Sequence, residues 1–184
     1  MIALLAPGQG AQAPGMLTPW LALEGAEERI AGWSATAGLD LRRLGTAASA
    51  EEIKDTAVAQ PLIVALSLLA AEELARRMDL PGDAPVTGHS VGELTAAAVA
   101  GVLTADEAVA LASVRGREMA SACRLTPTGM SAVLGGDPDD VVAALTQLGL
   151  DAANRNGAGQ IVAAGPCDAL ARLTTHPPEQ ARVR

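Results

Sequence analysis

Residues 88–92 read Gly88-His89-Ser90-Val91-Gly92, a serine with a glycine two positions to either side. That spacing calls for a strand that stops, a tight turn and a helix that starts. Glycine lets the two backbones pass closely, and the sharp turn lifts the serine hydroxyl clear of both. The flanks supply this context. Ala84-Pro85-Val86-Thr87 reads as a brief strand, and Leu94 to Val102 as a helix of small apolar residues suited to close packing on a sheet. The feature restricts the chain to the α/β class. A serine at that position meets free N–H groups and the positive end of the helix dipole, both of which favour a developing oxyanion. Ser90 is therefore the candidate nucleophile, with a plain glycine turn as the alternative.

The rest of the chain divides by texture. Met1 to Ala6 is a short apolar run that reads as a buried strand, stopped by Pro7-Gly8-Gln9-Gly10. That loop is either a plain strand-ending turn or a set of backbone N–H groups that completes an oxyanion hole beside Ser90. Leu17 to Trp33 is expected to be helical. Gln60-Pro61 opens a long helix, with Pro61 in its first turn, and Leu62 to Met78 is apolar nearly all round, as in a buried helix. Thr104 caps a further helix from Asp106 to about Ala122, with Glu107 placed for a capping box.

Beyond Leu125 the order is strand 130–134, helix 137–148 with Pro138 at its start, strands 151–154 and 160–164, and helix 166–173. This β-α-β-β-α order is one strand short of a ferredoxin-like unit, whose last strand would begin at Ala181 as the sequence stops. The expected architecture is thus α/β. An α/β-hydrolase-like parallel-sheet domain is expected over 1–124. A ferredoxin-like small subdomain spans 125–184 and is cut before its last strand.

Composition removes whole classes of function. The 184 residues carry a net charge of −8, which argues against nucleic acid or an anionic membrane as the partner. Two Trp with no Phe or Tyr leave no stacking platform for single strands, and the core must be aliphatic. Two cysteines without a CxxC, and only two histidines, leave no metal site and imply no cofactor. The first 23 residues carry no charge but are broken by prolines and glycines, so neither a signal peptide nor a membrane span is expected there, and the expected location is cytoplasmic.

Two further side chains matter for chemistry. Arg115, in Val114-Arg115-Gly116-Arg117, is either a solvated helix residue or a fork for a substrate carboxylate. His89 adjoins the serine, but neighbours across an elbow point apart, and His176 sits in a loop before two prolines. A serine nucleophile needs a base, and neither histidine is well placed to be one.

These residues together identify a family. Ala6-Pro7-Gly8-Gln9-Gly10-Ala11-Gln12, Val58-Ala59-Gln60-Pro61-Leu62, Gly88 to Glu93, Arg115-Gly116, Gly129 to Ala132 and Asn154 to Val162 resemble the malonyl-CoA:acyl carrier protein transacylases and related acyltransferase domains, along essentially the whole chain. The resemblance implies a ping-pong transfer. Ser90 takes the malonyl group from malonyl-CoA and passes it to the phosphopantetheine thiol of an acyl carrier protein, in fatty acid or polyketide biosynthesis. It also implies that Gln9 and Val91 donate backbone N–H groups to the oxyanion, that Arg115 holds the malonyl carboxylate, and that Gln60 and Asn156 line the pocket.

The resemblance implies that the α/β-hydrolase-like domain over 1–124 is incomplete; the family's catalytic histidine follows the small subdomain, and no matching stretch stands in this sequence. The partner histidine of Ser90 is therefore expected to be absent from this chain. A fragment of a normal enzyme is the favoured expectation. The rivals are a non-catalytic protein that binds a carrier protein, and an α/β-hydrolase-type esterase or thioesterase that shares the elbow.

Overall fold

The computed structural model describes residues 2–157 and 159–184. Met1 of the expected opening strand and Ala158 of the 154–162 block lie outside the described residues. In chain order the elements are β1 (Leu4–Ala6), α1 (Ala26–Ala37), α2 (Leu41–Thr46), α3 (Thr56–Arg77), β2 (Val86–Gly88), α4 (Gly92–Val99), α5 (Ala105–Cys123), β3 (Thr128–Gly135), α6 (Pro138–Gln147), β4 (Asp151–Arg155), β5 (Gln160–Pro166), α7 (Cys167–Thr175) and β6 (Ala181–Val183). The architecture is mixed α/β. It divides into two compact units, one ending at Ser121 and one running Ala122–Arg184.

In the first unit β1 and β2 pair in parallel, Leu4 with Val86 and Ala6 with Gly88. The helices pack on an aliphatic core that includes Ile30, Leu41, Leu62, Val64 and Leu69, with Trp33 buried in it and Trp20 packed against it. α3 is long and apolar enough to cross a membrane by length and composition. Here it buries Ala59 to Ala65, Leu68 and Leu69 inside the protein, as its all-round apolar sequence predicts for a core helix.

Two expectations about helix starts are corrected. The first helix does not run from Leu17. Pro19 and Gly25 interrupt that stretch, Gly25 sits at φ 73°, and α1 begins at Ala26. It ends on Gly38 at φ 67°, whose N–H reaches the Ala35 and Ser34 carbonyls. α3 begins at Thr56, five residues before Pro61, because the Asp55 side chain accepts the Ala57 N–H at 2.8 Å and caps the helix there. Pro61 thus stands inside the helix and removes only the N–H that would have bonded the Ala57 carbonyl.

The capping box at the start of α5 is present in full. The Thr104 N–H and hydroxyl donate to Glu107 Oε2 at 2.7 and 2.9 Å, and the Glu107 N–H returns to the Thr104 hydroxyl at 3.2 Å.

The second unit is a four-stranded sheet in the order β4-β5-β3-β6 with α6 and α7. All its pairings are antiparallel, β3 against β5 from Thr128–Pro166 to Leu134–Gln160. Asp137 caps α6 by accepting the Asp139 and Asp140 N–H groups, and Pro138 takes the first helical position. Val133, Leu145, Ile161, Ala163 and Leu173 form a separate core.

The expectation that the last strand is missing is also corrected. Ala181–Val183 pairs with Val133–Gly135, and Ala132 and Arg184 exchange both backbone bonds at 2.8 and 2.9 Å.

Candidate functional site

The serine turn is built by close backbone approach. A Cβ at Gly92 would overlap the Ala6 and Pro7 carbonyls, and one at Gly88 would overlap the Gly92 backbone. No larger residue fits either place. Between them Ser90 is held at φ 54°, a left-handed conformation that an L-residue adopts at a cost of about 1–3 kcal/mol. The turn is tied down on both sides. His89 N–H donates to the Ala6 carbonyl at 3.1 Å, and Gly92 N–H donates to the His89 carbonyl at 2.9 Å.

The loop after β1 packs on this turn. A Cβ at Gly8 would lie 2.6 Å from the His89 carbonyl oxygen and 2.7 Å from its Nδ1. The His89 ring therefore lies against the Gly8 backbone, as a packing residue of the turn. Among the described residues neither the Gln9 nor the Val91 backbone N–H has a protein acceptor.

Arg115 is half-buried on α5 and turns inward. Its Nη2 donates to Ser90 Oγ at 3.1 Å and its Nη1 to Gln60 Oε1 at 2.6 Å. Gly116 makes this approach possible. A Cβ there would lie 2.7 Å from the Thr56 carbonyl oxygen and 3.1 Å from Ala57 Cα, so α5 rests on the first turn of α3. Gln60 is fully buried, and its Nε2 donates to Thr56 Oγ1 at 2.7 Å and to Met119 Sδ at 3.2 Å. Thr56 in turn donates to Gln9 Oε1 at 2.9 Å, and Gln9 Nε2 reaches the Lys54 carbonyl at 3.4 Å.

Of the residues singled out from sequence, Ser90, Val91, Arg115, Gln60 and Gln9 meet in the first unit. Asn156 belongs to the second unit, just after β4, where its Nδ2 donates to Gln160 Oε1 at 2.9 Å. His176 also belongs to the second unit; it ends α7, exposed, beside the Thr175 hydroxyl. Arg76 and Arg77 both engage Glu73.

Sequence reasoning missed Thr56 and Met119. The available signal was helical spacing, since Thr56 precedes Gln60 by one turn and Met119 follows Arg115 by one turn. No cluster of three or more metal-ligating side chains occurs among the described residues. An apolar groove of about 290 Å³ against β1 and β2 is walled by Leu4, Leu66, Leu74 and Val86, and Ser90 is not among its walls.

The family profile described as "Acyl transferase domain" matches residues 4–183. A malonyl CoA-acyl carrier protein transacylase of Mycobacterium tuberculosis is 66% identical over all of this chain, which covers 61% of that protein. One from Mycolicibacterium smegmatis is 60% identical over 92% of the chain, which covers 58% of that relative. The crystal structure of MCAT from Mycobacterium tuberculosis superposes with a TM-score of 0.95 at 66% identity, over all of this chain and 61% of that one. A type II PKS acyl-carrier protein in complex with its malonyl-transacylase superposes with a TM-score of 0.84 at 28% identity, over all of this chain and 62% of that one. The chain thus spans about three fifths of the length of these relatives.

Proposed function

Because the chain belongs to the acyl transferase family, we propose that it carries the nucleophile half of an [acyl-carrier-protein] S-malonyltransferase. In this reading Ser90 Oγ attacks the thioester carbonyl of malonyl-CoA and the C–S bond breaks. The CoA thiol leaves with a proton, and Ser90 holds the malonyl ester. The phosphopantetheine thiol of an acyl carrier protein then attacks that ester and regenerates the serine.

Several features support these roles. The unpaired N–H groups of Gln9 and Val91 suit an oxyanion. The guanidinium of Arg115, within 3.1 Å of Ser90 Oγ, suits the free carboxylate of a malonyl group. Gln60 orients that guanidinium, and Asn156 is read as a further pocket residue. The similarity to malonyl transacylases and to the carrier-protein complex supports the substrate and the partner.

We read the two units as the large acyltransferase domain and the small subdomain of the family. The first is hydrolase-like and the second ferredoxin-like, the latter supported by the β4-β5-β3-β6 order. A cytoplasmic location is supported by two free, exposed cysteines.

The observation that carries the reading is the Arg115–Ser90 pair. A cation aimed at the nucleophile suits an acyl group bearing its own negative charge and does not suit a neutral ester, which sets aside the esterase reading. The base is the remaining part. The His89 ring packs on Gly8 rather than on Ser90 Oγ, and this reading assigns the proton to a histidine outside these 184 residues.

Intact-protein mass spectrometry after incubation with malonyl-CoA tests the proposal. A malonyl adduct that vanishes in Ser90→Ala is expected. A folded protein that binds an acyl carrier protein but forms no adduct would instead favour a non-catalytic carrier-binding role, which the lack of a base facing Ser90 among the described residues also suits.

A further inference from the structure

The polar chain behind Ser90 has a direction that its own chemistry forces. Arginine donates and cannot accept, so the Gln60 atom facing Arg115 Nη1 at 2.6 Å must be the oxygen. Gln60 Nε2 then faces away, and because Gln60 is fully buried both its protons need acceptors. Thr56 Oγ1 takes one at 2.7 Å and Met119 Sδ the other at 3.2 Å. A hydroxyl that accepts there has one proton left, and it goes to Gln9 Oε1 at 2.9 Å. That leaves Gln9 Nε2 pointed at the Lys54 carbonyl. The hydroxyl itself is anchored, because Thr56 is the first residue of α3, set by the Asp55 cap, and its branched side chain has little rotamer freedom.

We propose that Thr56 is a positioning residue that couples the Gln9 loop to the Arg115 guanidinium. One hydroxyl joins two groups that sit on different elements, 47 residues apart in the case of Thr56 and Gln9. Gln9 stands on the loop packed against the serine turn. Arg115 stands on α5 and touches the serine hydroxyl. The separation between the oxyanion donor of the loop and the carboxylate fork is therefore held by Thr56 rather than by either element alone. This rests on the malonyl-transfer reading for its catalytic meaning, while the coupling itself rests on the hydrogen bonds.

The test compares Thr56→Val with Thr56→Ser in protein labelled with ¹⁵N-glutamine. Valine keeps the shape and removes the hydroxyl; serine keeps the hydroxyl. The coupling predicts that Thr56→Val shifts the side-chain amide signals of Gln9 and Gln60 together and speeds their hydrogen exchange, and that Thr56→Ser restores both. It also predicts that Ser90 acylation from malonyl-CoA slows about tenfold in Thr56→Val, the effect of one lost buried hydrogen bond, and returns in Thr56→Ser. Gln9 signals unmoved by Thr56→Val, or a Ser variant that fails to restore them, would overturn the proposal. If the unsubstituted protein, assayed in the longer chain that supplies the histidine, forms no malonyl adduct, the malonyl reading falls, and the amide signals alone decide the coupling.

Discussion

Ser90 shows how the conformation of a single residue is fixed by its surroundings. Its positive φ is sustained because Gly88 and Gly92 let the two backbones close around it. Arg115 is the other residue whose surroundings define it. Two of its nitrogens are committed, to Ser90 Oγ and to Gln60 Oε1, in the flat forked geometry that lysine lacks. Under the malonyl-transfer reading, Arg115→Ala is expected to lower acylation from malonyl-CoA by about 100-fold, the loss of a desolvated charge pair worth about 3 kcal/mol. Acylation from acetyl-CoA should change far less, since acetate offers no second carboxylate. Rates for the two thioesters, measured side by side, check this; an equal loss on both would mean Arg115 supports only the fold.

At the scale of elements, local signals were legible where they act within one turn. The Thr104–Glu107 box and the Asp137–Pro138 start stand where the sequence places them, because each bond closes within three residues. Helix starts went astray where a stronger local signal overrode a weaker one. Asp55 capped α3 ahead of Pro61, and Gly25 broke the stretch that Leu17 would have opened.

The capping box also sets a pH dependence. The Thr104 N–H, and next its hydroxyl, hold the Glu107 carboxyl below the usual glutamate range. A carboxyl lowered in the folded state stabilises fully above its unfolded value, and the contribution is lost as pH falls through the lowered folded value. Thermal unfolding followed from neutral to acid pH should therefore fall less steeply in Glu107→Gln than in the parent chain. Glu27 and Glu52, held low by Arg42 and Arg43, act in the same direction, so the difference between variant and parent is the quantity to read. Identical slopes would remove Glu107 from the account.

At the scale of the whole molecule, the described residues form two cores built mainly from aliphatic side chains. Both tryptophans lie in the first unit, where Trp33 Nε1 donates to Asp106 Oδ1 at 2.9 Å. Leu145, fully buried, belongs to the core of the second. Leu145→Ala should cost about 3 kcal/mol by cavity formation and raise hydrogen exchange across β3 to β6. Tryptophan emission should keep its unfolding midpoint. A tryptophan transition that moves with Leu145→Ala would show that the two cores unfold as one.

By itself the sequence determined what acts within a few residues: the serine turn and its glycines, the caps of α5 and α6, and the buried character of α3. These follow from backbone sterics and short hydrogen-bonded rings, which need no knowledge of the rest of the chain. Pattern alone left the Gln9 loop and Arg115 each with a plain alternative, and the resemblance to a known family added Gln60; all three stood as names without contacts. Only the tertiary structure decided that they form one directed chain through Thr56, that Gly116 lets α5 rest on α3, and that Ala181–Val183 pairs with β3. The physical reason is range. A hydrogen bond between residues 25 to 55 positions apart depends on which helices pack together, and local propensity carries no record of that.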